Sequence, residues 1–211
     1  MDISKCFYQT LNALGMHGIE FPVFDTVRIG IRFDIGDSSD FDVYLKKHTV
    51  NPLYIDHCLY RVTQIMDSLP NLPDILAIQI YFINDHELKK QIKDILSVTK
   101  LPYPHETDKN ETILDGEPTN VAILLWDLSI INFSKETLLR EIIISDLGGE
   151  HLLTASVFWI WSNDHVMFHL YDDRGADLVA AEKSAIKEVY FRFHEWILKY
   201  DREKIQSTFD S

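Results

Sequence analysis

LTASVFWIWSNDHVMFHLY, from Leu153 to Tyr171, carries the strongest fold signal in the chain. Leu153–Trp161 and His165–Tyr171 are rich in aromatic and β-branched side chains, which suit a pleated, half-buried surface. Ser162-Asn163-Asp164 between them is turn chemistry. Two strands joined by so short a connection must run antiparallel, because a parallel pair needs a crossover of a dozen residues or more. A second hairpin is predicted near the N-terminus. From Thr26 to Ile35, Val27, Ile29, Ile31 and Phe33 alternate with Arg28, Gly30, Arg32 and Asp34, a period of two with the apolar set turned inward. Gly36-Asp37-Ser38-Ser39 reads as the turn and Phe41–Leu45 as the returning partner strand.

Helices fill the intervals. Phe7, Leu11 and Leu14 form one stripe of a helix over Ile3–Leu14, ended by Gly15. Asn51-Pro52 opens a second, with Leu59, Val62, Ile65, Met66 and Leu69 at helical spacing. Asn84 or Asp85 caps a third over His86–Val98, and Ser134 caps a fourth that runs to about Ile144. Ile75–Ile83 and Val121–Trp126 read as buried strands. Ile186, Val189, Tyr190, Phe193, Ile197 and Tyr200 predict one long amphipathic helix from Ala180 to Tyr200. The expected fold is therefore α+β, a mixed, largely antiparallel sheet with packed helices and a long C-terminal amphipathic helix. Residues 100–120 hold three prolines and an Asp115-Gly116 turn signal, and read as a polar loop. The chain, 1–211, is then one α+β domain, or two lobes of about 1–99 and 121–211 joined by that loop.

Charge narrows the partners. Against 20 Lys and Arg stand 33 Asp and Glu, a net −13, which disfavours nucleic acid and anionic membranes. The longest apolar runs, such as Val121–Trp126, fall far short of the ~20 residues that span a bilayer, and Met1-Asp2-Ile3-Ser4-Lys5 does not open an export signal. A cytoplasmic location is expected. Cys6 and Cys58 are too few for a disulfide framework or a zinc site, and read as free thiols.

Catalytic signatures are missing. Glycine-rich phosphate loops, G-x-S-x-G elbows and H-E-x-x-H helices cannot be drawn, and no cofactor or metal is expected. His165 and His169 share a strand face but stand about 13 Å apart, too far for one metal ion, so both read as packing or surface residues. The densest polar group is Tyr171-Asp172-Asp173-Arg174-Gly175, followed by Asp177. Two adjacent carboxylates could hold a divalent cation or act as acid and base. The same residues make a well-formed turn, with Asp opening it, Gly supplying φ > 0 and Arg pairing a carboxylate, and the turn is the favoured reading. Trp196, Tyr200, Asp201 and Arg202 read as an anchor for the last helix.

Two acidic patches remain. Glu20, Asp25, Asp34, Asp37, Asp40 and Asp42 face only Arg28 and Arg32, and the second patch sets Glu106, Asp108, Glu111, Asp115 and Glu117 against Lys109. Most such runs are solvated faces that keep a protein in solution. As a functional feature, they suit docking to a basic protein, with Asp34, Asp37, Asp40, Asp42, Glu106, Asp108, Glu111, Asp115 and Glu117 as the expected contacts.

FHLYDDRGADLVA at Phe168–Ala180 and WILKYDR at Trp196–Arg202 resemble the C-terminal signature of a bacterial family known as a domain of unknown function. IRFDIG at Ile31–Gly36 and CLYR at Cys58–Arg61 resemble its N-terminal half, so the similarity runs from about Val27 to Phe209. The resemblance implies a small bacterial cytosolic protein. Some families of this kind accompany polymorphic or contact-dependent toxins and serve as immunity proteins. The expectation is a non-enzymatic immunity protein that occludes the active face of a cognate, basic toxin domain. The alternative is a small metal-dependent enzyme using Asp172 and Asp173, with Arg174 beside them.

Overall fold

The computed structural model describes residues 2–37, 41–46, 49–114, 116–148, 153 and 155–210. Local chemistry sets where most helices begin. The Asp2 carboxylate accepts from the Lys5 N–H at the start of α1 (Ile3–Ala13). A short α2 (Val23–Thr26) follows, and then strand β1 (Gly30–Asp34). Asn51 caps α3 (Pro52–Asp67), with Pro52 at the first turn, where a missing N–H costs nothing. After β2 (Ile75–Phe82), Asn84 accepts from two N–H groups at the start of α4 (Asp85–Thr99). Strands β3 (Glu106–Leu114) and β4 (Glu117–Asp127) come next, and Ser134 then caps α5 (Lys135–Ser145). The chain closes with β5 (Ser156–Trp161), β6 (Val166–Leu170), β7 (Gly175–Ala180), α6 (Lys183–Arg192) and α7 (Arg202–Phe209). No helix among the described residues is long and apolar enough to cross a membrane.

The strands form one seven-stranded sheet in the order β1-β7-β6-β5-β2-β4-β3, and every pairing is antiparallel. Helices α3 to α7 pack on one face, where Leu76, Ile78, Trp126 and Trp159 join the larger core. Helix α1 covers the other face, over Ala77, Leu125, Phe158 and Ile160. Neighbouring residues of β2 thus enter different cores, which is why that strand reads as an apolar run interrupted only by Gln79. Each Leu, Ile or Phe among these, fully buried, stabilises the fold by roughly 1.5–3 kcal/mol.

Three expectations need correction. Phe41–Leu45 is not the partner of β1: among its described residues only an isolated Tyr44–Val50 bridge forms, and β1 pairs with β7, Ile31 opposite Leu178. The wholly buried β7 offers apolar neighbours that a half-exposed segment beside Asp42 does not. Residues 100–120 are not a polar loop, since β3 and β4 form a long hairpin there. Edge strands commonly carry charges that block unwanted pairing, so polarity concealed a strand. Nor does that stretch separate two sheets, because β2 lies between β4 and β5.

The third correction concerns the C-terminus. The helix expected over Ala180–Tyr200 is divided: β7 runs to Ala180, α6 ends at Arg192, and two single 3-10 turns, His194–Trp196 and Lys199–Asp201, precede α7. Between those turns Ile197 is extended, bridging to Phe33, while the Leu198 N–H donates to the Arg32 carbonyl. Hydrogen bonds to the free edge of β1 outweigh the helical periodicity, and they cover that edge.

Candidate functional site

The two acidic patches do not form one surface. Asp34, Asp37 and Asp42 lie on or just after β1, and Glu106, Asp108, Glu111 and Glu117 on β3 and the start of β4. β1 and β3 are opposite edges of the sheet, about 29 Å apart at the usual strand spacing. Asp40 and Asp115 lie outside the described residues. At the β1 end the negative charge is partly neutralised: Arg61 donates to the Asp34 carbonyl at 3.0 Å and approaches the Asp37 carboxylate at 3.6 Å. Burial, and then the charge of Asp37, push the Asp34 carboxyl above its usual range. Asp42 is exposed, and its carbonyl accepts from the Asn51 amide.

The β3 edge is more open. Among the described residues β3 pairs only with β4, so its outer row of N–H and C=O groups faces away from the sheet. Glu106 and Asp108 stand opposite Leu125 and Ile123, hence on the α1 face, and Asp108 accepts from the Ser4 hydroxyl at 3.0 Å. Glu117 shares that face through its partner Leu114, whereas Glu111 is on the other face with Lys109, whose ammonium sits 2.6 Å from Asp85. Ile113 and Leu114 are exposed near the hairpin tip.

Asp172 and Asp173 build a turn. Asp172 Oδ1 accepts from the N–H groups of Arg174 and Gly175, and Oδ2 accepts from the Arg174 guanidinium. Asp173 accepts from the Tyr54 hydroxyl at 2.6 Å. A side chain at position 175 would collide with the Tyr171 hydroxyl, so the turn needs Gly175. Oxygens of Asp146, Asp172 and Asp173 lie within 4.8 Å of one another, but each carboxylate already serves a neighbour, Asp146 being 3.5 Å from Arg174. Beside them, burial pushes the Cys58 thiol up to about 12, which keeps it protonated and unreactive.

The polar network that sequence reasoning missed is a rung across the sheet. Arg32 on β1 stands opposite Asp177 on β7, Asp177 opposite His169 on β6, and His169 opposite Phe158 on β5. Arg32 grips Asp177 with two hydrogen bonds, Nε at 2.8 Å and Nη2 at 3.3 Å, and the Phe24 N–H adds a third at 3.1 Å. Its Nη1 reaches Asp201 at 3.4 Å, Asp25 lies 3.6 Å away, and the guanidinium lies over the Phe24 ring. The two motifs near the C-terminus therefore meet at Arg32, through Asp177 and Asp201.

His169 is 4% exposed and stacks on Phe158 at 4.6 Å, with Phe21 at 5.4 Å and Tyr171 at 5.7 Å. Among the described residues its buried Nδ1 has no hydrogen-bond partner. Burial, helped by the charge of Arg32, pulls the imidazole down to about 3, so it is neutral. Strict alternation had turned Arg32 outward to solvent, but that face is covered by α2 and the C-terminal segment. The available signal was a lone Asp in an apolar GADLVA strand and a lone His in VMFHL.

These features define an α+β protein whose antiparallel sheet is closed on its β1 edge by the C-terminal segment and left open on β3. The chain belongs to the family described as Domain of unknown function (DUF3885), whose model matches residues 9–201. It is also similar to the Uncharacterized protein YnaE of Bacillus subtilis (strain 168), at 26% identity over 115 residues, 53% of this chain and 52% of that protein. The match thus spans about half the length of this curated relative. No solved structure matches the chain.

Proposed function

We propose that this protein is a binding protein that holds a basic partner against the acidic β3 edge, as an immunity protein would hold a cognate toxin domain. The observation that carries the reading is the edge itself, unpaired among the described residues. Glu106, Asp108 and Glu111 lie along it, and its one cation, Lys109, is neutralised by Asp85. Carboxylates so placed can occupy positions that a toxin's basic cleft offers to substrate phosphates, while exposed Ile113 and Leu114 add apolar contact. The net charge of −13 would speed encounter with a basic surface. The immunity form of the reading rests on the resemblance of the two C-terminal motifs. A non-catalytic role is favoured because Asp172 and Asp173 are committed to a turn.

Affinity capture from the native host's lysate tests it, at low and high salt, with a Glu106→Lys/Asp108→Lys/Glu111→Lys variant in parallel. The reading expects a stoichiometric basic domain that is retained at low salt, released at high salt and lost by the variant. That domain should arrest growth alone and be neutralised by the unaltered protein. Capture or rescue that the triple variant leaves unchanged would remove the β3 assignment, and a domain that is harmless alone would remove the immunity reading.

A further inference from the structure

Phe21, Pro22, Arg32, His169, Tyr171 and Asp177 line a cavity of about 320 Å3 at the β1–β7–β6 corner, on the α1 face of the sheet. Cavities near this size take small ligands of one or two rings. The walls are largely apolar, and Phe21 and Tyr171 at the rim are each about 40% exposed. Proteins leave few buried polar groups unpartnered, yet His169 is enclosed by aromatic rings and no hydrogen bond from the described residues satisfies its Nδ1. A neutral imidazole presents one donor and one acceptor.

Charge defines the occupant further. The Arg32 guanidinium is shared among Asp177, Asp201 and Asp25, which leaves little attraction for an anion. Asp177 accepts three hydrogen bonds, which leaves no bare carboxylate for a cation. We infer that this cavity binds a neutral, planar nitrogen heterocycle of nucleobase size, packed against Phe21 and Tyr171 and hydrogen-bonded to His169. The heterocycle's ring nitrogens and N–H groups complement the imidazole, and its faces complement the exposed rings. The site lies four strands from β3, so its success or failure is independent of the partner-binding edge.

The test is titration calorimetry on the full chain with adenine, cytosine and uracil, and with adenosine, cytidine and uridine to separate free bases from nucleosides. At least one should bind with a Kd at or below about 1 mM. His169→Phe should weaken that binding about tenfold or more. If His169→Phe does not fold, Phe21→Ala at the exposed rim should give the same loss. Absence of binding by all six compounds would overturn the inference, as would binding that the folded variant leaves unchanged. So would binding of indole or p-cresol alone, which would make the cavity a receptor for an aromatic side chain of a partner protein.

Discussion

A neutral imidazole with an unpartnered nitrogen, enclosed by Phe158, Phe21 and Tyr171, costs a fold about 1–3 kcal/mol relative to a satisfied group. Phenylalanine has a similar shape and no such cost. His169→Phe should therefore raise the unfolding free energy by about 1 kcal/mol at pH 7, read from urea denaturation. Acid should widen the difference. The folded state holds the His169 imidazole down at about 3, whereas the unfolded chain takes up the proton near 6.5. A group with a depressed folded value stabilises above the unfolded value and loses that contribution as pH falls toward the folded one. The unaltered protein then loses up to about 1.4 kcal/mol per pH unit below 6.5, so the variant's advantage should grow by roughly 2 kcal/mol at pH 5. Asp177, raised chiefly by burial, has the opposite sign and largely cancels between the two proteins. An advantage that stays constant from pH 7 to pH 5 would show that His169 is not the buried neutral group described.

Most elements were legible where a local signal determined them. Asn51-Pro52, Asn84 and Ser134 capped their helices as read, because a cap is a hydrogen bond between near neighbours. The β5–β6 hairpin was equally plain. Apart from the β3–β4 hairpin, whose polarity concealed a strand, what escaped depended on residues far apart in sequence. β1 took its partner from about 145 residues away, since burial of β7 outweighed a nearby return strand. The Arg32–Asp177–His169 rung assembles from three strands, and no single stretch announces it. The Asp-Asp-Arg-Gly turn, by contrast, lies within five residues and was read as a turn, although Gly175 is required by the closeness of Tyr171 and not by a positive φ. The C-terminal helix broke because Ile197 bonds to β1. Its last element, α7, is held by Phe209, which is 2% exposed and stacked on Tyr190 at 4.6 Å. Phe209→Ala should cost about 3–5 kcal/mol in chemical denaturation, and a loss below 1 kcal/mol would mean that α7 does not dock as described.

For the molecule as a whole, a net charge of −13 repels itself in the compact state. Raising monovalent salt from about 0.05 to about 0.5 M should lift the melting temperature by a few degrees, because screening relieves exposed carboxylates more than the buried Arg32–Asp177 pair. A fall in melting temperature over that range would mean that surface ion pairs outweigh the repulsion. The same field is what would draw the proposed basic partner, and among the described residues the sheet has an acidic, unpaired edge at β3. Amide hydrogen exchange with and without the captured basic domain tests that placement. Amides of Glu106–Leu114 that face away from β4 should exchange freely in the protein alone and slow at least tenfold in the complex, with Gly30–Asp34 unchanged. Protection confined to Gly30–Asp34 or to the α3–α5 face, with Glu106–Leu114 unaffected, would contradict the account.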